Sequence, residues 1–156
     1  MHLSFRHVYD GTPDQVVDLF HDHDFISAVA SDAGAREHRV NVTGDVTNLD
    51  MVLDAPSDVA KFVGKTLNLV LRFRWHPAGS QGERSGDVAL DVKGAPVSLD
   101  AGCVLRPEGQ GTTADYAGDL KVKIPLMGPR VERMVEPFIA DAFAGIQRRA
   151  QERLRG

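Results

Sequence analysis

Residues 118–124 alternate apolar and charged side chains, Pro125-Leu126-Met127-Gly128-Pro129 halts that run, and a helical pattern then continues almost to the C-terminus. Val131, Met134, Val135, Phe138, Ala142, Ile146, Ala150 and Leu154 recur every three or four residues, the spacing of one apolar face on an amphipathic helix. A helix so polar on its far side must lay its stripe on an apolar surface. The strand before it, and its companions upstream, are the surface available. A long helix laid across the open face of a sheet often leaves a cavity beneath it, and a cavity is a place for a ligand. Gly128 and Pro129 suit the cap and first position of this helix, and Glu132 lies near the positive end of its dipole. Arg148, Arg149, Arg153 and Arg155 gather at the negative end. Pro137 removes one backbone hydrogen bond, so either the helix bends there or its regular part begins there.

Upstream the chain is mostly strands. Leu3, Phe5, His7 and Tyr9 share one face of the first, with Ser4 and Arg6 on the other. Thr12-Pro13-Asp14-Gln15 opens a helix with a capping box and a proline at its first position. Asp22 or Asp24 caps a second short helix that ends near Gly34. The period then switches to two. His38, Val40 and Val42 precede a Thr43-Gly44-Asp45 turn into Leu49, Met51 and Leu53. Residues 55–64 hold one or two helical turns. Leu67, Leu69, Leu71, Phe73 and Trp75 then alternate with polar neighbours. Val88-Leu90-Val92, Val97-Leu99-Ala101-Cys103-Leu105 and Tyr116-Leu120-Val122-Ile124 complete the set. A strand, two short helices, six strands on short turns and a long helix make an α+β chain with an antiparallel sheet of about seven strands. At 156 residues it forms one domain, residues 1–156.

The bulk properties exclude more than they select. A net charge of −4 argues against nucleic acid, whose binding rests on a basic face. No stretch approaches the roughly 20 apolar residues of a membrane span. The chain opens with no basic-then-apolar leader. The single Cys103 suits a reducing compartment, so a cytoplasmic location is expected. The 13 arginines against 5 lysines reflect a GC-rich genome more than any function.

Three motifs resemble chemistry without carrying it. Gly109-Gln110-Gly111-Thr112-Thr113-Ala114 fits G-x-G-x-x-A, but a helix must follow to hold a pyrophosphate and here a strand follows. A hairpin turn accounts for it better. His21-Asp22-His23-Asp24 has no partner group at zinc spacing, and helix capping explains it, so no metal or cofactor is expected. Cys103, flanked by Ala101 and Leu105 on an apolar face, reads as a buried, inert thiol lining core or cavity.

The order of elements resembles the START-like (SRPBCC), helix-grip superfamily typified by the birch pollen allergen and by lipid-transfer domains. Within it, the chain is similar to a mainly actinobacterial family of START-like proteins known only as a domain of unknown function. Gly94-Ala95-Pro96-Val97, Leu105-Arg106-Pro107, Gly111-Thr112 and, most specifically, residues 118–128 with Val131-Glu132 carry the likeness. Tyr9, Asp24, Pro56, Phe62, Gly64 and Trp75 support it earlier in the chain. The resemblance implies a curved sheet gripping the C-terminal helix, and a cavity between them.

The candidate site follows from these faces. Val131, Met134, Val135 and Phe138 would roof a pocket, while Phe5, Met51, Trp75, Leu90, Leu99 and Phe143 would line it, with Cys103 on the same apolar layer. His7, Tyr9, His38 and Tyr116 are polar residues on otherwise apolar faces, so each needs a partner. In a cavity that partner can be a polar head, and a histidine there can act as acid or base; otherwise it is backbone, a neighbour or solvent. The leading expectation is a protein that binds a small hydrophobic or amphipathic ligand of lipid, polyketide or isoprenoid type. The alternatives are a cyclase, dehydratase or hydrolase, which needs those four polar residues to converge in one cavity, and an interaction module with a vestigial cavity. Oligomeric state is not legible.

Overall fold

A computed structural model describes residues 1–156. Its order is β1 (His2–Tyr9), α1 (Pro13–Phe20), α2 (His23–Asp32), β2 (Glu37–Thr43), β3 (Val46–Asp54), α3 (Ser57–Val63), β4 (Thr66–Trp75), β5 (Arg84–Lys93), β6 (Val97–Glu108), β7 (Gly111–Val122) and α4 (Gly128–Arg155). All seven strands form one curved antiparallel sheet in the order β1-β7-β6-β5-β4-β3-β2. Six strands form a meander, and β1 closes it by pairing with β7, from His2 opposite Asp119 to Tyr9 opposite Thr112.

Local chemistry sets the boundaries. Thr12 and Gln15 form the capping box of α1, and Asp22, not Asp24, caps α2 by accepting from the backbone of Asp24 and Phe25. The Gly109-Gln110 turn joins Glu108 to Gly111 across the β6–β7 hairpin, with Gly109 at φ 62°, a conformation that costs glycine little. No phosphate-binding helix follows it.

The α4 helix runs without interruption through Pro137, so its regular part does not begin there. Its cap is Met127, with Gly128 as the first helical residue, where the sequence had suggested Gly128 as cap and Pro129 as the first position. A Cβ on Gly128 would lie 2.5 Å from the Val122 carbonyl oxygen, which explains the glycine where strand passes into helix. Glu132 does not simply face the helix dipole: it accepts from the Val122 backbone N–H at 3.2 Å and pairs with the N-terminal ammonium at 3.0 Å. The arginines of the last turns also have specific partners. Arg149 pairs with Asp32, Arg153 with Asp22 and Arg155 with Asp10, so they fasten α4 to α2 and to the end of β1. Gln147 and Gln151 accept from the backbone N–H groups of Val8 and Asp10, satisfying donors on an edge strand that would otherwise invite foreign pairing.

The concave face of the sheet is covered in two different ways. At the end of β4 that holds Phe73 and Trp75, α1 presses Phe20 onto both rings, at centroid distances of 4.8 and 5.4 Å. Residues from α1 and α2, including Val16, Val17, Phe25 and Ile26, complete a fully buried core there. At the other end, where β4 and β6 begin, only α4 and α3 arch over the sheet.

Candidate functional site

That uneven cover leaves a cavity of about 830 Å³, lined by 28 residues of which 19 are hydrophobic. Its floor is the concave face of the sheet: Met51 and Leu53 from β3, Leu67, Leu69 and Leu71 from β4, Leu90 and Val92 from β5, and Val97 and Leu99 from β6. The alternation of those strands turns each of these side chains to the same face. Its roof is α4, through Val135, Phe138, Ile139, Ala142, Phe143 and Ile146, a set spaced by three or four residues. Val29 of α2 and Val59 and Val63 of α3 close the sides. Every charged lining residue, namely Asp32, Asp54, Asp141, Arg148, Arg149 and Glu152, is exposed or half-buried. The interior is therefore apolar and the charge belongs to the rim. A space of this size and lining suits a small molecule with a large apolar body.

Of the residues expected at the site, Met51, Leu90, Leu99, Val135 and Phe138 line this cavity, and Phe143 joins them. Trp75 lies on the correct face but farther along β4, under Phe20. Val131 is completely buried at the start of α4, before the roof begins, and Met134 is half-buried beside it. His38 is exposed at the outer strand of the sheet, opposite Met51 but in a shallow surface depression with Glu37, Arg39 and Lys93. It does not meet the other polar candidates, because β2 is the edge strand at the opposite side of the sheet from β1 and β7.

His7, Tyr9 and Tyr116 do converge. Tyr116 and Tyr9 share a hydroxyl–hydroxyl hydrogen bond of 3.3 Å, and the Tyr9 hydroxyl lies 3.1 Å from His7 Nδ1. All three residues are buried. Burial lowers the His7 pKa to about 4, leaving a neutral imidazole at neutral pH. It raises both tyrosines far above the ordinary phenol value, so both remain protonated. Cys103, beside Tyr116, is pushed up to about 12, again chiefly by burial, which makes it an unreactive thiol. The group adjoins the cavity without lining it. Phe143, which does line the cavity, packs edge-on against Tyr116 at 5.3 Å and stacks on Phe5 at 5.1 Å. Phe143 and Phe5 thus stand as an aromatic partition.

The lining that sequence reasoning left out comes chiefly from α3 and from the first half of β4. Leu67, Leu69 and Leu71 were visible as part of one alternating run with Trp75. Nothing in that run marks which end of it lies beneath open space. Val59 and Val63 sit in a connection whose docking against α4 depends on the assembled sheet.

Residues 4–154 match a family described as "Protein of unknown function (DUF2505)". The chain belongs to this family. No curated protein matches the sequence, and likeness to solved structures extends the fold far beyond sequence similarity. A STAR-related lipid transfer protein fragment from Xanthomonas axonopodis superposes with a TM-score of 0.68 at 14% identity, covering 99% of this chain and 86% of that one. A protein from Thermus thermophilus gives 0.66 at 15% identity, over 99% and 97%. The Zhui aromatase/cyclase from Streptomyces sp. R1128 gives 0.63 at 8% identity, over 99% and 93%. At such identities the likeness establishes the fold: this DUF2505 chain has the START-like, helix-grip architecture. No helix in it is long and apolar enough to cross a membrane.

Proposed function

We propose that this DUF2505 protein binds a small hydrophobic or amphipathic molecule of lipid, polyketide or isoprenoid type between its sheet and α4. The carrying observation is the cavity itself: about 830 Å³, with 19 hydrophobic residues among its 28 and charge only at the rim. An apolar body would be buried against Leu71, Leu90, Leu99 and Ile139, and any polar end would lie toward Asp141 and Arg148. The START-like neighbours, a lipid transfer protein and an aromatase/cyclase by name, lend the ligand class its support. The test is native mass spectrometry of the purified protein, followed by titration with an environment-sensitive fluorophore such as anilinonaphthalene sulfonate and its displacement by fatty acids and isoprenoid alcohols. Saturable one-to-one binding is expected. Absence of any retained molecule, together with no fluorophore uptake, would reject the reading.

A second reading, catalysis on the bound molecule, draws on the Tyr116–Tyr9–His7 chain just beyond Phe143. It requires a substrate to displace the Phe143 ring and reach the imidazole. His7→Gln separates the two: unchanged binding with unchanged product formation would remove His7 from any chemistry. The free, buried Cys103 supports a cytoplasmic setting, which cell fractionation tests.

A further inference from the structure

The net charge of −4 conceals a basic patch at one end of the molecule. The register places Asn68 opposite Lys93 and Val97 opposite Val122. The start of β4, the end of β5, the start of β6 and the end of β7 therefore lie at one end of the sheet, the end that also floors the cavity. All five lysines are found there. Lys65 precedes β4, Lys93 closes β5, Lys121 and Lys123 mark the end of β7, and Lys61 sits on α3. Arg130 and Arg133 follow on the first turns of α4. All seven side chains are exposed.

None of the seven takes part in an ion pair, whereas seven of the other eleven arginines do. The same end also holds seven carboxylates without a lysine, arginine or ammonium partner, Glu37, Asp50, Asp58, Asp91, Asp100, Asp119 and Glu136. The stretch 121–133 around Leu126, however, sets Lys121, Lys123, Arg130 and Arg133 against Glu132 alone, so the surface beside Leu126 is positive on a negative molecule. Elsewhere the basic groups are mostly spent on the protein's own carboxylates; here they face outward.

Leu126 stands in the same place. It is fully exposed, and it is the chain's one non-glycine residue with positive φ, at 66°. A leucine disfavours that conformation and gains nothing from full hydration, yet the loop between β7 and α4 holds it outward among cations. Phe138, with 45% of its surface exposed, lies at the edge of the cavity on α4. Unpaired lysines around an outward leucine match the interface of an anionic bilayer, where the cations meet phosphates and the apolar side chain enters the acyl boundary. An acidic protein surface would answer the lysines but not the leucine.

We propose that this end of the molecule docks reversibly on an anionic phospholipid bilayer, with Leu126 as the inserted residue. The proposal stands apart from the cavity's occupancy and is tested apart from it, by cosedimentation with vesicles of phosphatidylcholine alone or mixed equally with phosphatidylglycerol. The protein is expected to bind the mixed vesicles, to ignore the neutral ones, and to release as salt is raised. Reversing Lys93, Lys121 and Lys123 to glutamate should weaken binding by about tenfold or more. Leu126→Ser should weaken it severalfold while leaving its salt dependence unchanged. Arg106→Glu, at the opposite end of β6, should change nothing, and circular dichroism checks that each variant is folded. A cavity-filling variant, Leu90→Trp, should dock as well as the wild type, so loss of ligand binding and loss of docking are read separately. Equal binding to both vesicle types, or indifference to the lysine reversals, would overturn the proposal. So would binding that needs the lysines but not Leu126, which would show a purely electrostatic contact with no inserted residue.

Discussion

His7 and Gly86 illustrate how single positions are bound to their surroundings. Burial holds the His7 pKa near 4, against an ordinary value of 6.5. Between those values the unfolded chain takes up a proton that the folded protein refuses, so the His7 contribution is complete above about pH 6.5 and is lost as pH falls toward 4. Gln at this position can still bond the Tyr9 hydroxyl but cannot titrate. Thermal melts over that window should therefore fall more steeply for the wild type than for His7→Gln; parallel curves would show that the imidazole is not protected. Gly86 lies opposite Trp75 in the β4–β5 register. A Cβ there would fall 2.6 Å from a ring carbon of Trp75 and 2.8 Å from the Arg74 carbonyl oxygen. The indole thus packs across a backbone with no side chain, and its own position under Phe20 depends on that space. Gly86→Ala should cost about 1–3 kcal/mol by overpacking, readable as a drop of several degrees in Tm. An unchanged Tm would mean that Trp75 can shift freely, contrary to its tight seat.

The α4 helix does three jobs with three sides. Its apolar stripe roofs the cavity, its glutamines satisfy β1, and its last arginines tie it to α2 and to Asp10. The stripe was legible from spacing alone. The role of the arginines was not, because helix-dipole complementation is a local explanation that suffices until Asp22 and Asp32 are seen to lie alongside. Pro137 is exposed and interior to the helix, where it denies the Arg133 carbonyl its usual donor. Since the ring is exposed, Pro137→Ala should stabilise the protein by about 1–3 kcal/mol, seen as a higher denaturant midpoint at unchanged slope. A lower midpoint would show that the proline shapes the helix to fit the sheet beneath it.

For the molecule as a unit, the cavity exists because α1 and α2 fill one end of the concave face while α4 and α3 only bridge the other. A bulky residue on the floor should remove it: Leu90→Trp is expected to retain its circular dichroism spectrum and lose fluorophore uptake. In the wild type, a ligand at a hundredfold excess over its Kd should raise stability by about 2.7 kcal/mol, and that rise should vanish in the variant. Retained uptake in Leu90→Trp would locate binding elsewhere. Alternation, capping residues and the long amphipathic stripe already specified the element order and which face of each strand turns inward, since these follow from the period of the backbone and from hydrogen bonds a few residues apart. Hence Met51, Leu90, Leu99, Val135 and Phe138 could be read from the chain as inward-facing. Periodicity is blind to distance along a strand, and so could not tell Leu71, beneath open space, from Trp75, beneath Phe20. It could not show that His38 lies on the far edge strand while His7, Tyr9 and Tyr116 meet, nor that five scattered lysines gather at one end. Those outcomes depend on which remote segment covers each stretch of sheet, and that is decided by packing between elements far apart in the chain.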